Sequence, residues 1–171
     1  MFEIITARLR LSRLDLSDAA FIYHLYNTQP FIEFIGDKNL HSIEDAERML
    51  LQGPIAMYRE QGFGLWRGAL KDCDTPIGIC GLLKRETLPD VDLGYGMLPQ
   101  YWGQGFAFEA ADAVLRYARD RLHLERLAAI TSKDNESSIR LLKRLGMTWE
   151  MTLEPQGSGS EPVELFAIAW P

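Results

Sequence analysis

Apolar and polar positions alternate with period two along Arg8-Leu9-Arg10-Leu11-Ser12-Arg13-Leu14, the pattern of a half-buried strand. Ser17-Asp18 then cap a predicted helix running to about Asn27. Ser42 marks another helix start. Its hydroxyl can accept from unpaired backbone N–H groups, and Glu44 and Asp45 suit the positive helix end. Gly53-Pro54 should break or kink that helix. A second helical piece is expected from Pro54 to Glu60, since proline tolerates a first turn. From Gly62 the pattern changes. Phe63, Leu65, Trp66 and Leu70 predict a strand ending near Lys71, and Asp72-Cys73-Asp74-Thr75-Pro76 is a turn cluster. Ile77 to Lys84 and Val91 to Leu98 read as two further strands, and the short connections predict an antiparallel meander.

Ala107, Ala110, Ala111, Val114, Leu115, Ala118 and Leu122 recur at three- and four-residue intervals, which predicts a long helix over residues 104–121. The small alanines let such a helix lie close to a sheet. Arg126 to Thr131 reads as a strand. A short helix follows from about Glu136 to Leu145, with Asn135 as its cap and Gly146 as a left-handed terminator. Two last strands flank Pro155-Gln156-Gly157-Ser158-Gly159-Ser160, read as a flexible hairpin loop. With no internal repeat and no long linker, about seven strands and the interleaved helices predict an α+β fold in one domain over residues 1–171.

Composition narrows the function classes. The chain has 171 residues, 47% hydrophobic and 25% charged, ordinary values for a globular domain with a real core. No apolar run reaches the ~18 residues of a membrane helix. The start, Met1-Phe2-Glu3-Ile4-Ile5-Thr6, lacks the pattern of a signal peptide, so a cytoplasmic location without membrane contact is expected. Cys73 and Cys80 fit no metal spacing, and His24, His41 and His123 stand far apart, so no metal is expected. Net charge is −6 with no basic stripe, which excludes nucleic acid as a partner. An acidic surface attracts amines or basic peptides; plain solubility explains it as well.

The segment Gly94-Tyr95-Gly96-Met97-Leu98-Pro99 leads into Gln100-Tyr101-Trp102-Gly103-Gln104-Gly105-Phe106-Ala107, so a strand gives way to a helix across a glycine-rich turn. The first N–H groups of a helix have no internal partner, and the helix dipole adds positive charge there; a pyrophosphate fits such a site. Gly103 and Gly105 remove side chains that would block its approach. An ordinary helix-start turn explains the same glycines. The dinucleotide pattern G-x-G-x-x-G would need glycine where Phe108 stands, and the Gly-Lys-Ser/Thr of a Walker loop is absent.

In context the segment resembles the Arg/Gln-x-x-Gly-x-Gly/Ala motif of the GNAT acetyltransferases, with Gln100, Gly103 and Gly105 at the motif positions. The wider run to Glu109-Ala110, the opening Thr6-Ala7-Arg8-Leu9-Arg10-Leu11, and Asn135-Glu136-Ser137-Ser138 with Gly146-Met147 are similar to the RimJ/RimL-type branch, whose members acetylate ribosomal-protein N-termini. The resemblance spans nearly the whole chain. It implies a three-layer α/β/α sandwich with a mixed, mainly antiparallel sheet and a V-shaped splay. It also implies acetyl transfer from acetyl-CoA to a primary amine by direct attack through a tetrahedral intermediate. The acceptor would be a protein N-terminal α-amine or a small-molecule amine. A catalytically silent acyl-CoA-binding module on the same fold is the alternative. A homodimer is a further implication.

On this resemblance, backbone N–H groups around Gly103, Gln104, Gly105, Phe106 and Ala107 hold the acetyl-CoA pyrophosphate. A bulge at Gly94 and Gly96 opens the cleft for the pantetheine arm; weakened strand packing alone is the competing reading of these glycines. A backbone N–H near Met97 or Leu98 stabilises the oxyanion. Asp92 is the candidate base, with Asp90 and Glu86 behind it; a solvent-facing strand carboxylate is the competing reading. Asn135 either bonds the CoA arm or only caps its helix. Leu142 occupies the position where many GNAT members carry a proton-donating tyrosine, and Ser138 is the suggested replacement. Arg140, Lys143 and Arg144 suit the negative end of their helix and could also meet the CoA 3′-phosphate. Trp66, Trp149 and Trp170 are read as core or strand-face residues, and Phe31, Phe34 and Ile35 either line the acceptor entrance or pack locally.

Overall fold

A computed structural model describes residues 1–155 and 159–171. The strands are β1 (Glu3–Ile5), β2 (Leu9–Arg13), β3 (Leu65–Leu70), β4 (Pro76–Lys84), β5 (Val91–Met97), β6 (Arg126–Ser132), β7 (Thr148–Leu153) and β8 (Val163–Ala169). The helices are α1 (Ala19–Tyr26), α2 (Gln29–Phe34), α3 (Ile43–Leu50), α4 (Ala56–Gln61), α5 (Phe106–Asp120) and α6 (Glu136–Arg144). All eight strands form one sheet in the order β1-β2-β3-β4-β5-β6-β8-β7. Every neighbouring pair is antiparallel except β5 and β6, which are parallel. Helices pack on both faces of this mixed, mainly antiparallel sheet, the arrangement that the resemblance implies.

The expected meander is β3–β4–β5. The strand beyond the expected seven is β1, a three-residue edge strand too short to show a periodicity of its own. It is held by pairing with β2 and by Phe2, which stacks on Trp66 with ring centroids 4.6 Å apart. The segment holding Phe31 and Phe34, given no element from the sequence, forms helix α2, with Pro30 in its first turn. Gly53-Pro54 does not break its helix. The chain widens into one π turn over Leu51–Ile55 and continues as α4, so proline's missing donor is absorbed without a stop. Ser42 caps α3 as expected, accepting from the Asp45 N–H at 3.1 Å. Asp18 stands at the N-cap position of α1 without a side-chain cap bond to it, and Asp15 caps the 3-10 turn Leu16–Asp18 that leads in, in a reciprocal box with Asp18. The Pro155–Ser160 hairpin loop falls partly on residues 156–158, outside the described residues.

Two cores flank the sheet. Ala110, Ala111, Val114 and Ala118 of α5 are fully buried against Leu11, Trp66, Cys80 and Leu82, the close approach that the alanines permit. Leu142 of α6 joins the same core. On the other face Ile22, Leu25 and Tyr26 of α1, Phe31 of α2, and Ala46 and Leu50 of α3 pack with Ile79. Trp66 is a core residue, and Trp149 takes the strand-face alternative, standing 54% exposed on the edge strand β7. Among the described residues, no helix is long and apolar enough to cross a membrane.

Candidate active site

Strand pairing opens the site. β4 and β5 stay in register without interruption from Gly78↔Met97 to Lys84↔Val91. β5 and β6 share only Asp92↔Ala128, near the start of both strands, and part toward their C-terminal ends. The expected V-shaped splay is present, but the expected bulge at Gly94 and Gly96 is not. Both glycines serve close packing instead: a side-chain carbon on Gly94 would lie 3.0 Å from Leu83, and one on Gly96 would lie 3.3 Å from Phe31. On its other edge β6 pairs fully with β8, from Arg126↔Ala169 to Ser132↔Val163, so only the β5 side is open.

The glycine turn follows β5. Gly103 and Gly105 both take left-handed φ, +70° and +82°, which a side chain would strain. Gly105 is the residue before α5, and no side chain caps the first N–H groups of that helix. Phe106 is buried and Ala107 half-buried, so the helix start is fixed in the core while its backbone faces the turn. The Gln104 amide donates to the Gln100 carbonyl at 3.1 Å, and the Trp102 indole donates to the Met97 carbonyl at 2.9 Å. Arg8 braces the turn from outside. It donates to the Gln104 carbonyl at 2.9 Å and to Glu109 at 2.7 Å, and lies 4.2 Å from the Phe106 ring centroid. Glu109 also accepts from the Thr6 hydroxyl at 2.6 Å and the Arg8 N–H at 2.8 Å. Partial burial works to raise the Glu109 pKa, but these hydrogen bonds outweigh it and hold the carboxyl below its usual range. Sequence spacing could not reveal this brace, because its partners lie about a hundred residues apart.

The Leu98 N–H donates to the Ile77 carbonyl at 2.8 Å and is occupied. Successive strand N–H groups point to opposite sides, so the Met97 N–H is directed away from β4, toward the splay. Across the splay, Asn135 accepts from the Ser138 N–H at 3.2 Å, the cap of α6. The Ser138 hydroxyl is hydrogen-bonded to the Tyr95 hydroxyl. Burial pushes the Tyr95 phenol up to about 12, opposed by this bond. Tyr95 was not singled out in the sequence, although alternation along β5 aims it opposite to Asp92, toward α6.

A cavity of about 410 Å³ joins the two halves. Its wall runs from Tyr26, Phe31, Phe34 and Ile35 past Leu83, Gly94 and Tyr95 to Thr131, Asn135 and Ser138. Phe31 and Phe34 of α2 therefore line the cavity, and Phe31 also packs locally against Tyr26. Asp92 does not line it. Its side chain is fully buried, and both carboxylate oxygens accept from the Arg85 Nε at 3.1 Å. Burial raises the Asp92 pKa while the Arg85 charge opposes the rise. Arg85, not Asp92, meets the cavity. Asp90 is also committed, accepting from Arg126 at 2.8 Å. Of the late α6 cations, Arg144 lies 3.8 Å from the Phe108 ring centroid. Leu142 is buried and faces the core, away from the cleft. Among the described residues, no group of histidine, cysteine or carboxylate side chains is placed to hold a metal.

A splayed sheet, a glycine turn feeding an uncapped helix, and a cavity crossing the splay are features that a bound acetyl-CoA would need; the family match makes the chain an acetyl-CoA-dependent N-acetyltransferase. The chain belongs to the GNAT family: the acetyltransferase (GNAT) domain matches residues 8–148. It is similar to the uncharacterized N-acetyltransferase YoaA of Bacillus subtilis, 32% identical over 90% of this chain and 87% of that protein. The fold is shared with an acetyltransferase from Agrobacterium tumefaciens, with a TM-score of 0.82, 22% identity, and coverage of 99% of this chain and 95% of that one. It is also shared with RimL, a ribosomal L7/L12 α-N-protein acetyltransferase solved with coenzyme A, with a TM-score of 0.81, 17% identity, and coverage of 97% and 96%.

Proposed function

We propose that the protein, acting as one domain over residues 1–171, acetylates a primary α-amine that enters the cavity between α1, α2 and the β4–β5 strands. The observation that carries this reading is the continuity of the cavity, from the aromatic wall at Phe31 and Phe34 to Asn135 and Ser138 across the splay. The acceptor side and the α6 side of the sheet meet there. The residues present fit acetyl-CoA. The α5 N-terminus is uncapped, two left-handed glycines precede it, and β5 presents unpaired backbone to the cleft. Backbone from Gly103 to Ala107 would hold the pyrophosphate, with Gln100 and Gln104 fastening the turn. Asn135 would stand beside the pantetheine arm while capping α6. Bound there, acetyl-CoA supplies the acyl group as a thioester.

The Met97 N–H is the oxyanion donor in this reading, and Leu98, whose N–H is occupied, positions the strand end. Tyr95 and Ser138 together donate to the departing sulfur. A phenol near 12 is a weaker acid than a thiol of about 8.5, so their part is a hydrogen bond to the thiolate, not transfer of a proton to it. Asp92 acts through Arg85 as a positioning residue. Among the described residues the cavity lining holds no carboxylate and no histidine, so the amine's proton leaves through solvent. That suits an α-amine of pKa ~8 far better than a lysine of ~10.4.

The RimJ/RimL-type reading, with a protein N-terminus as acceptor, is supported by the shared fold with RimL and by the branch-like motifs. A small α-amine is the other acceptor class. Thiol release measured across a panel of peptides, amino acids and other amines tests the proposal. Turnover with any α-amine above the acetyl-CoA hydrolysis background supports it; binding of acetyl-CoA without turnover on any amine overturns it. The homodimer belongs to the same proposal and is read by sedimentation velocity.

A further inference from the structure

The charged residues lining the cavity are Lys38, Lys84 and Arg85, all cations, in a chain whose net charge is −6. A positive lining in an acidic protein is not a by-product of composition. Lys84 is committed, because its ammonium donates to the Leu88 and Pro89 carbonyls. Arg85 uses only its Nε toward Asp92 among the described residues, which leaves the terminal nitrogens of its fork for another partner. The Lys38 ammonium has no hydrogen-bond or ion-pair partner among the described residues. Lys38 is exposed as a residue, yet its ammonium is partly desolvated by the packing around it, and this and the Arg85 charge hold its pKa below the lysine range. The two cations therefore feel each other. Asp92, the carboxylate paired with Arg85, is enclosed behind it and presents no charge to a ligand, and Asp37 and Glu86, next to the two cations in sequence, do not line the cavity. Against these cations stands an apolar wall that includes Phe31, Phe34, Ile35, Met57 and Leu65.

We infer that the acceptor carries a carboxylate within a few bonds of its primary amine and an apolar body beside it, as an apolar α-amino acid does. This rests on the acetyl-transfer reading above and names the substrate class for that site. The free face of the Arg85 guanidinium and the Lys38 ammonium receive the carboxylate, since a planar fork pairs both oxygens at once. The apolar body lies on the α2 wall, and the amine is turned toward the splay. A polyamine is disfavoured by the same lining: it would bring further ammonium groups against three cations, with no lining carboxylate to receive them. The carboxylate has two sources. It belongs either to a free amino acid or to the side chain of an acidic residue next to a peptide N-terminus.

The test is a kinetic panel on the full chain with acetyl-CoA. It compares leucine, methionine and phenylalanine with their amides, phenethylamine with phenylalanine, spermidine, and the amidated dipeptides Ala-Glu and Ala-Gln. Amides lose the amine proton more readily, so chemistry alone favours them and a preference for the acids reports binding. The expected result is kcat/KM at least about tenfold higher for each acid than for its amide, expressed in KM. Lys38→Gln should remove most of that ratio while leaving the amide values in place. If Ala-Glu outruns both Ala-Gln and the free acids, the carboxylate inference holds and its source is a peptide N-terminus. If the amides, phenethylamine or spermidine match or exceed the acids, the inference is overturned while acetyl transfer stands. If no amine in the panel is acetylated although acetyl-CoA binds, the transfer reading fails with it. Lys38→Gln slowing acids and amides equally would also overturn the inference, by showing a general effect on folding or on acetyl-CoA.

Discussion

At the scale of single residues, the Tyr95–Ser138 pair is the sharpest departure from the chemistry implied by resemblance. Leu142 occupies the usual tyrosine position but is turned into the core. A phenol reaches α6 from β5 instead, and it bonds the serine that resemblance suggested as the replacement. If this pair donates to the departing sulfur, Tyr95→Phe removes a hydrogen bond to a charged atom, about 1.5–3 kcal/mol. The expected result is a fall in kcat of roughly 10- to 100-fold with the acetyl-CoA Kd unchanged, read by steady-state kinetics beside calorimetry. Ser138→Ala should cost less, because the phenol keeps its donor. A purely structural pair would lower Tm and leave kcat of the folded fraction alone. Glu109 makes a second residue-scale prediction. Its folded pKa lies below the unfolded value despite partial burial, so its contribution is present above the ordinary carboxylate pKa of ~4.3. It is lost as pH falls through the lower folded value. Glu109→Gln should therefore destabilise by about 1–2 kcal/mol near pH 7. The gap from wild type should close as pH drops below the carboxylate range, followed by denaturant melts at stepped pH.

At the scale of elements, the pieces with a strong period or a strong cap were readable. Helix α5 lies within its expected span because its alanine stripe repeats over several turns. Helix α6 carries its asparagine cap, and Gly146 closes it at φ +89°. Elements set by tertiary contact were not readable. β1 exists because β2 and Trp66 receive it, and α2 because Phe31 finds Tyr26, with ring centroids 4.3 Å apart. The expected bulge failed for a related reason. Glycines in a strand signal close approach as readily as a bulge, and only the neighbouring strands decide between them. The glycine turn itself was legible, since left-handed φ and an open helix start both demand glycine. Gly105→Glu tests its proposed part in holding pyrophosphate. The strain of a side chain at φ +82° costs about 1–2 kcal/mol, and the added carbon would lie 3.3 Å from Arg8. The fold should survive, while acetyl-CoA affinity measured by calorimetry should drop at least about tenfold, because negative charge then stands where the pyrophosphate binds. Unchanged affinity in a folded variant would remove the turn from the site.

At the scale of the whole molecule, a broken pairing between β5 and β6 gives the sheet one opening, and the cavity crosses it. The helices α1 to α3 supply an apolar wall on one face, while α6 supplies the polar end from the other. Sequence motifs pointed to the proposed donor end because a pyrophosphate site is built from a local run of backbone. They could not locate the acceptor end, because its charges come from Lys38 after α2 and Arg85 after β4, which no spacing connects. Nor could they show that Asp92 is sealed, since strand alternation gives a side chain's direction and says nothing of what covers it. That enclosure has a kinetic consequence. A carboxylate base would give a rate that rises through an acidic pKa and levels off near neutrality. Here the lining holds neither a carboxylate nor a histidine among the described residues, so the rising limb follows the acceptor's amine, while Lys38, whose pKa is lowered by burial and by the Arg85 charge, can only end the rise on the alkaline side. The expected profile of kcat/KM climbs with pH up to the pKa of whichever amine is used. It should shift when an amino acid is exchanged for an amide of lower amine pKa. Asp92→Asn should lower the rate by disordering Arg85 without moving the midpoint. A midpoint that stays fixed across acceptors and disappears in Asp92→Asn would return Asp92 to the role of base, acting through an opening of the Arg85 pair.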